Sequence, residues 1–147
     1  MSDIPMTAEQ LAALHERCFV TPRPWNADEF RDFLASPLCF LRCEAGGFVL
    51  GRAVAGEAEL LTIAVAPEAR RSGIGRRLMA AFDEGAKAAG AEQAFLEVAI
   101  DNAAARALYL GTGWAEAGKR RGYYHTPEGQ SVDAVVMTRT LADGGRA

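Results

Sequence analysis

The 147-residue chain predicts a single-domain α/β fold, with a mixed central sheet flanked by helices and a C-terminal antiparallel hairpin. Three observations carry that expectation. A continuous apolar run, Leu60–Val65, gives way from Ile74 to apolar residues at helical spacing, the signature of a buried strand followed by an amphipathic helix. A second strand–helix pair follows in Gln93–Ala99 and Ala103–Leu110. Two long strand-like segments, Trp114–Tyr124 and Val132–Thr140, then close the chain as a hairpin. The length suits one domain with a full core. Residues 1–141 are expected to form it, and 142–147, with the run Asp143-Gly144-Gly145, a flexible tail.

In chain order, Thr7-x-x-Gln10 has capping-box spacing and opens an amphipathic helix through Phe19, ended by Pro22 and Pro24. Asn26-x-x-Glu29 opens a second, short helix with Phe30, Phe33 and Leu34 on its apolar side. Leu38–Cys43 and Phe48–Ala55 read as strands around a Gly46-Gly47 turn. Leu60–Val65, closed by Pro67, is expected to be buried on both faces. In the long helix, Ile74, Leu78, Ala81, Phe82, Gly85, Ala86 and Ala89 form one stripe, opposite Arg76, Arg77, Asp83, Glu84 and Lys87, until Gly90 stops it. A first short strand near Ile4 is weakly signalled.

Composition narrows the function classes. A net charge of −3 and a pI of about 5.4 give no global basic field for nucleic acid or anionic lipid. The longest strongly apolar run, Leu60–Ala66, is far short of a membrane span, and the N-terminus lacks a secretion-signal pattern, so a cytoplasmic protein is expected. Cys18, Cys39 and Cys43 are odd in number, with no CxxC pair. On a straight strand Cys39 and Cys43 stand about 13 Å apart, too far for a disulfide. His15 and Cys18 can share a helix face, but two ligands do not make a zinc site, and no metal is expected.

The most informative stretch is Arg70-Arg71-Ser72-Gly73-Ile74-Gly75-Arg76, between the buried strand and the long helix. Glycines let the backbone close around a ligand, and N–H groups at a helix N-terminus attract anions. By itself the pattern fits either a phosphate receptor or a helix start that needs a sharp turn. It is neither a Walker loop nor a GxGxxG fingerprint.

Context separates those readings. Arg70-x-x-Gly73-x-Gly75 after Leu60-Leu61-Thr62-Ile63-Ala64-Val65-Ala66-Pro67, and later Asn102-x-x-Ala105-x-x-x-Tyr109-x-x-x-Gly113-Trp114, resemble the acyl-CoA-binding core of the GCN5-related N-acetyltransferase (GNAT) superfamily. Within it, Phe95-Leu96-Glu97-Val98, Ala107-Leu108-Tyr109, Arg120-Arg121-Gly122-Tyr123-Tyr124 and Asp133–Met137 look like the bacterial ribosomal-protein alanine N-acetyltransferases, as does Cys18-Phe19 with Pro24-Trp25-Asn26. Trp114 stands where that group usually has Phe, and the N-terminal strand looks abbreviated. The resemblance implies acetyl-CoA as co-substrate. Backbone groups of Ile63, Ala64 and Val65 would pair with its pantetheine arm, as an added strand does. Amides of Arg71, Ser72, Gly73, Ile74, Gly75 and Arg76 would hold the pyrophosphate. Asn102 would bond the pantetheine arm, besides capping its helix. Tyr109 would sit at the sulfur, and Glu97 would be the general base.

The chemistry needs such groups. An ammonium has no lone pair, so the acceptor must lose a proton before it attacks the thioester. An α-amine titrates near 7.7–8.0 and lysine near 10.4, so the α-amine needs less help. Glu97 is the one acid in an apolar strand, which fits either a base or a strand-end charge; burial beside a cleft, or a relaying water, would make it a usable base. Tyr109 is either a core aromatic or a donor to the departing sulfur. A backbone N–H near Val65 would meet the charge developing on the carbonyl oxygen. Nothing suggests a covalent acyl-enzyme, so direct attack in a ternary complex is expected. The acceptor implied is the N-terminal α-amine, alanine by preference, of a small-subunit ribosomal protein. Lysine side chains, small amines, and a non-catalytic acyl-CoA-binding regulatory role are the alternatives. Lys119-Arg120-Arg121 with Tyr123-Tyr124 reads as a solvated hairpin face, an RNA contact, or, by the resemblance, the wall of the acceptor groove.

Overall fold

A computed structural model describes residues 5–20 and 22–141; the weakly signalled strand near Ile4 and the tail 142–147 lie outside the described residues. Helices α1 (Ala8–Cys18) and α2 (Ala27–Ala35) both begin with complete capping boxes, Thr7 with Gln10 and Asn26 with Glu29. Each satisfies two otherwise orphaned N–H groups reciprocally. Strands β1 (Cys39–Glu44), β2 (Gly47–Val54) and β3 (Glu57–Val65) follow, then a 3₁₀ turn at Pro67–Ala69 and α3 (Ile74–Ala88). Strand β4 (Gln93–Ala99), α4 (Ala103–Gly111), β5 (Ala115–His125) and β6 (Ser131–Thr140) complete the order.

The six strands form one mixed sheet in the order β1-β2-β3-β4-β6-β5. All neighbours are antiparallel except β3 and β4, whose connection runs through α3. The predicted hairpin is present, but its second strand lies inside: β6 pairs with β4 and leaves β5 at the edge. Two apolar clusters sandwich the sheet. One joins α3 and α4 to Leu60, Leu96, Val135 and Met137; the other joins α1 and α2 to Phe48, Leu50 and Ala64.

Helix α3 docks through Ile74, Leu78, Phe82, Gly85 and Ala86, as its periodicity predicts, and also through Met79. Ala81 is only half-buried and Ala89 is exposed, because the stripe drifts around the helix toward Met79. Burial of Phe82 alone contributes about 2–3 kcal/mol. The Phe40 ring fits between β2 and α3 because Gly51 and Gly85 carry no Cβ; one added at either would lie 2.5 Å or 2.6 Å from that ring. On α2, Phe30 is fully buried but Leu34 is 40% exposed, since the short helix packs on the cluster through Ala27, Phe30 and Phe33.

Strand β3 departs from the expectation of burial on both faces. It begins earlier, at the exposed Glu57, and from Ala58 its residues alternate between buried and half-buried. Opposite β2 the register slips, Leu50 facing Thr62 while Gly51 faces Leu60, so Leu61 is an extra residue. Such a bulge bends its strand and switches which residues face each side. Leu60 and Ile63 accordingly join the α3 cluster, and Leu61 and Ala64 the α1 cluster.

Candidate active site

Parallel pairing of β3 with β4 holds for three positions, Glu57 with Gln93, Ala58 with Ala94 and Glu59 with Phe95. Beyond them the strands diverge, following the bend at Leu61, while β2 and β6 keep the outer edges paired to Val65 and Ala99. A cleft of about 830 Å³ opens there, bounded by β3, β4, α3, α4 and the α1–α2 connection. Ile63, Ala64 and Val65 of β3 line it, as do Glu97, Asn102, Tyr109 and Tyr124. The Val65 carbonyl accepts from Arg70 Nε at 3.2 Å and Cys18 Sγ at 3.4 Å, tying α1 and the following loop to this strand end.

The loop before α3 has the conformation that its glycines suggest. Gly73 is the helix cap at φ +86°, and Arg71 also takes a left-handed conformation at +65°. For an arginine that costs on the order of 1 kcal/mol, and such strain persists only where the surroundings impose it. The first helical bond runs from the Arg77 N–H to the Gly73 carbonyl. Among the described residues, no protein group accepts from the amides of Arg71, Ser72, Gly73, Ile74, Gly75 or Arg76. Six consecutive donors at a helix N-terminus form a ready receptor for a diphosphate.

Asn102 caps α4, its Oδ1 accepting from the Ala105 amide at 3.2 Å. The capping oxygen is therefore engaged, and Nδ2 donates to no described protein group. Tyr109, one α4 face further on, is 5% exposed, with its ring 6.3 Å from that of Trp114. Burial, and next the nearby Tyr124, push its phenol well above the ordinary value, so it stays protonated at neutral pH.

Glu97 does not occupy the apolar setting that its strand suggests. Its Oε2 accepts from Arg120 Nη1 at 2.6 Å, across β6 from the edge strand. The Arg120 guanidinium also lies 4.8 Å from the centre of the Tyr123 ring. The register of β5 breaks between Arg120 and Tyr124, and the Gly122 amide donates to Asp133 Oδ1 at 2.9 Å. At this bulge the two tyrosine rings meet edge to face with centroids 5.0 Å apart, Tyr124 lining the cleft and Tyr123 46% exposed. Burial, and then Glu97, raise the Tyr124 phenol; burial, and then a hydrogen bond with Glu97, raise Tyr123.

Sequence reasoning did not anticipate Arg120 against Glu97, nor the place of His15 at the cleft. His15 is buried; its Nδ1 accepts from the Trp25 amide at 3.0 Å, and Nε2 lies 2.9 Å from Thr62 Oγ1. The first bond fixes the tautomer, so Nε2 donates. Burial lowers its pKa to about 4. Among the described residues, no group of three or more His, Cys, Asp or Glu is placed to hold a metal ion. No described helix is long and apolar enough to cross a membrane.

The parallel strands β3 and β4 thus splay beside a helix-capping loop whose amides have no acceptor among the described residues. The model of the acetyltransferase (GNAT) family matches residues 8–114. This chain belongs to that family and is an acyltransferase. It is 41% identical over 140 residues to the [ribosomal protein bS18]-alanine N-acetyltransferase of Escherichia coli (strain K12), covering 92% of this chain and 94% of that one. Identity to the N-alpha-acetyltransferase RimI of Mycobacterium tuberculosis is 35% over 145 residues, covering 92% and 88%. The crystal structure of the Escherichia coli ribosomal-protein-S18-alanine N-acetyltransferase superposes with a TM-score of 0.83 at 30% identity, over 99% of this chain and 95% of that one. Within the family, the likeness to the ribosomal-protein alanine N-acetyltransferases expected from sequence therefore holds along most of the chain.

Proposed function

We propose that this chain transfers an acetyl group from acetyl-CoA to the N-terminal α-amine, alanine by preference, of the small-subunit ribosomal protein S18. The transfer is direct, within a ternary complex, and takes place in the cytoplasm. The observation that carries the reading is the divergence of β3 from β4 beside the six unpaired loop amides. Residues of the β3 end and of the loop before α3 line one cleft, which fits a ligand with an amide-rich arm joined to a diphosphate. The 41% identity to a named S18-alanine acetyltransferase supports the acceptor.

Acetyl-CoA supplies the acetyl group already activated as a thioester. The chain does the rest. Amides of Arg71–Arg76 hold the diphosphate, backbone of Ile63–Val65 and Asn102 Nδ2 hold the pantetheine arm, and the carbonyl is thereby fixed beside Tyr109. Arriving as an ammonium, the acceptor takes the place of the Arg120 guanidinium on Glu97, exchanging one cation for another. Arg120 is half-exposed and can turn to solvent, while the Glu97 side chain is only 17% exposed and needs the incoming ammonium as its replacement partner. Glu97 then takes the proton, directly or across one water. Negative charge growing on the carbonyl oxygen meets a backbone N–H near Val65. Tyr109, held protonated by burial, passes a proton to the departing sulfur as the C–S bond breaks and regains one from the amine nitrogen, which loses its second proton as the amide forms. Tyr124 narrows the acceptor side of the cleft, which favours a small first residue.

The test is a mixture of purified, unacetylated small-subunit ribosomal proteins incubated with labelled acetyl-CoA. The label is expected on S18 and on its first residue. Label spread over lysines of many proteins would overturn the acceptor assignment.

A further inference from the structure

Arg77 lies in the first turn of α3, one residue past the loop amides, where a cation could itself bind phosphate. It does something else. Its Nε and Nη2 donate to Glu44 Oε1 at 3.0 Å and 2.7 Å, and its Nη1 to the Ser72 carbonyl at 3.4 Å. Glu44 is the last residue of β1 and is 9% exposed. The β1–β2 turn that follows is also tied to the chain beyond β3, the Gly46 carbonyl accepting from the Ala66 amide at 2.7 Å. Above it, Ser72 Oγ bonds the Ala69 carbonyl within the loop.

We infer that Arg77 and Glu44 are positioning residues for the diphosphate loop, Arg77 tying the Ser72 carbonyl to a fixed carboxylate on the sheet. The inference rests on the reading of that loop as the diphosphate receptor. Three features argue for it. A carboxylate that buried is an expensive neighbour for a diphosphate site unless it is matched, and a two-nitrogen guanidinium contact matches it. Turning the Ser72 carbonyl toward Arg77 directs the peptide's other face, the Gly73 N–H, away from it, because the peptide is planar and trans. Lastly, Arg71 adopts a left-handed conformation that a non-glycine residue keeps only under constraint, and the Arg77 bond constrains the adjoining residue.

Two variants distinguish a brace from a direct phosphate ligand by the sign of their effects. If Arg77 were a ligand held back by Glu44, Glu44→Gln would release it and tighten acetyl-CoA binding. As a brace, Glu44→Gln and Arg77→Met both loosen the loop and raise the KM for acetyl-CoA about fivefold to tenfold, the loss of one charge-assisted hydrogen bond. Arg77→Lys, which keeps the charge with a single donor group, should recover part of the loss. The KM for acetyl-pantetheine, which has no diphosphate, should stay unchanged in all three, as a general loss of structure would not allow. Calorimetry of the wild type with CoA comes first. If it binds CoA no better than pantetheine, the diphosphate reading itself fails. If it does prefer CoA, but Glu44→Gln binds it as tightly or more tightly, the brace is refuted. Should Arg77→Met fold poorly, Glu44→Gln decides alone, since it keeps the side chain's volume.

Discussion

Replacing Gly73 with aspartate puts one negative charge among the loop amides of Arg71–Arg76, and replacing it with asparagine puts the same shape there without the charge. Gly73 is at φ +86°, so either side chain costs on the order of 1 kcal/mol of fold stability, and Asn and Asp tolerate that region best. An added Cβ would lie 3.1 Å from Arg77 Nη1, the far end of a flexible side chain, so both variants fit after a small shift. The difference between them is therefore electrostatic. Two unit charges about 5 Å apart at an effective dielectric of 20 repel by about 3 kcal/mol. Screening, and partial pairing of the new carboxylate with Arg77, reduce this to about 1.5–3 kcal/mol, a tenfold to hundredfold loss of affinity. Calorimetric titration of acetyl-CoA into both variants at two salt concentrations measures it. The Gly73→Asp protein is expected to bind at least about tenfold more weakly than Gly73→Asn, with a gap that narrows as salt rises. It should also lose most of the thermal shift that the wild type shows with acetyl-CoA. Equal affinity of two folded variants would refute the placement of the diphosphate.

Other perturbations reach the rest of the site. Tyr109→Phe should lower turnover by about 10²-fold at nearly unchanged melting temperature, because no described protein group shares a hydrogen bond with its hydroxyl; wild-type single-turnover rates would demote it to packing. Glu97→Gln should keep acetyl-CoA affinity and lower turnover, with a deficit that shrinks above about pH 8 as the α-amine deprotonates unaided; a pH-independent deficit in the rate profile would argue against a base. The His15 pKa falls from 6.5 to about 4 on folding, so the unfolded chain binds the proton more readily in that window. Its contribution is fully present above about pH 6.5 and is lost as pH falls toward 4, by about 3 kcal/mol in all. Urea unfolding of His15→Gln at about pH 7 and pH 5 should show a flatter dependence than the wild type, and parallel losses would contradict the assignment.

What could be read from sequence was local. The capping boxes at Thr7 and Asn26, the turn at Gly46, the break at Gly90 and the α3 stripe depend on neighbours a few residues away. The Arg70–Gly75 loop was legible for the same reason. The opening of the cleft was not, because it turns on one extra residue, Leu61, whose apolar character hides a change of strand register. The Glu97–Arg120 pair was hidden too, since it requires β6 to lie between β4 and β5, and pairs of strands distant in sequence leave no periodic trace. Alternation along β5 would have told Tyr123 from Tyr124 only in an unbroken strand, and the bulge at Gly122 removes that signal. Leu34 misled because a nine-residue helix presents less of its apolar face than its pattern offers.

The central claim is that the cleft between β3 and β4 acetylates an α-amine. Its most direct test offers the protein acetyl-CoA with a peptide that has a free N-terminal alanine and one internal lysine, beside the same peptide with its N-terminus blocked. Fragmentation mass spectrometry locates the acetyl group. The structure and its chemistry predict modification of the free peptide on alanine alone and none of the blocked one, because the α-amine titrates more than about two pH units below lysine and needs far less from Glu97. Equal labelling of the blocked peptide would contradict the α-amine assignment, and labelling of neither would contradict a peptide acceptor altogether.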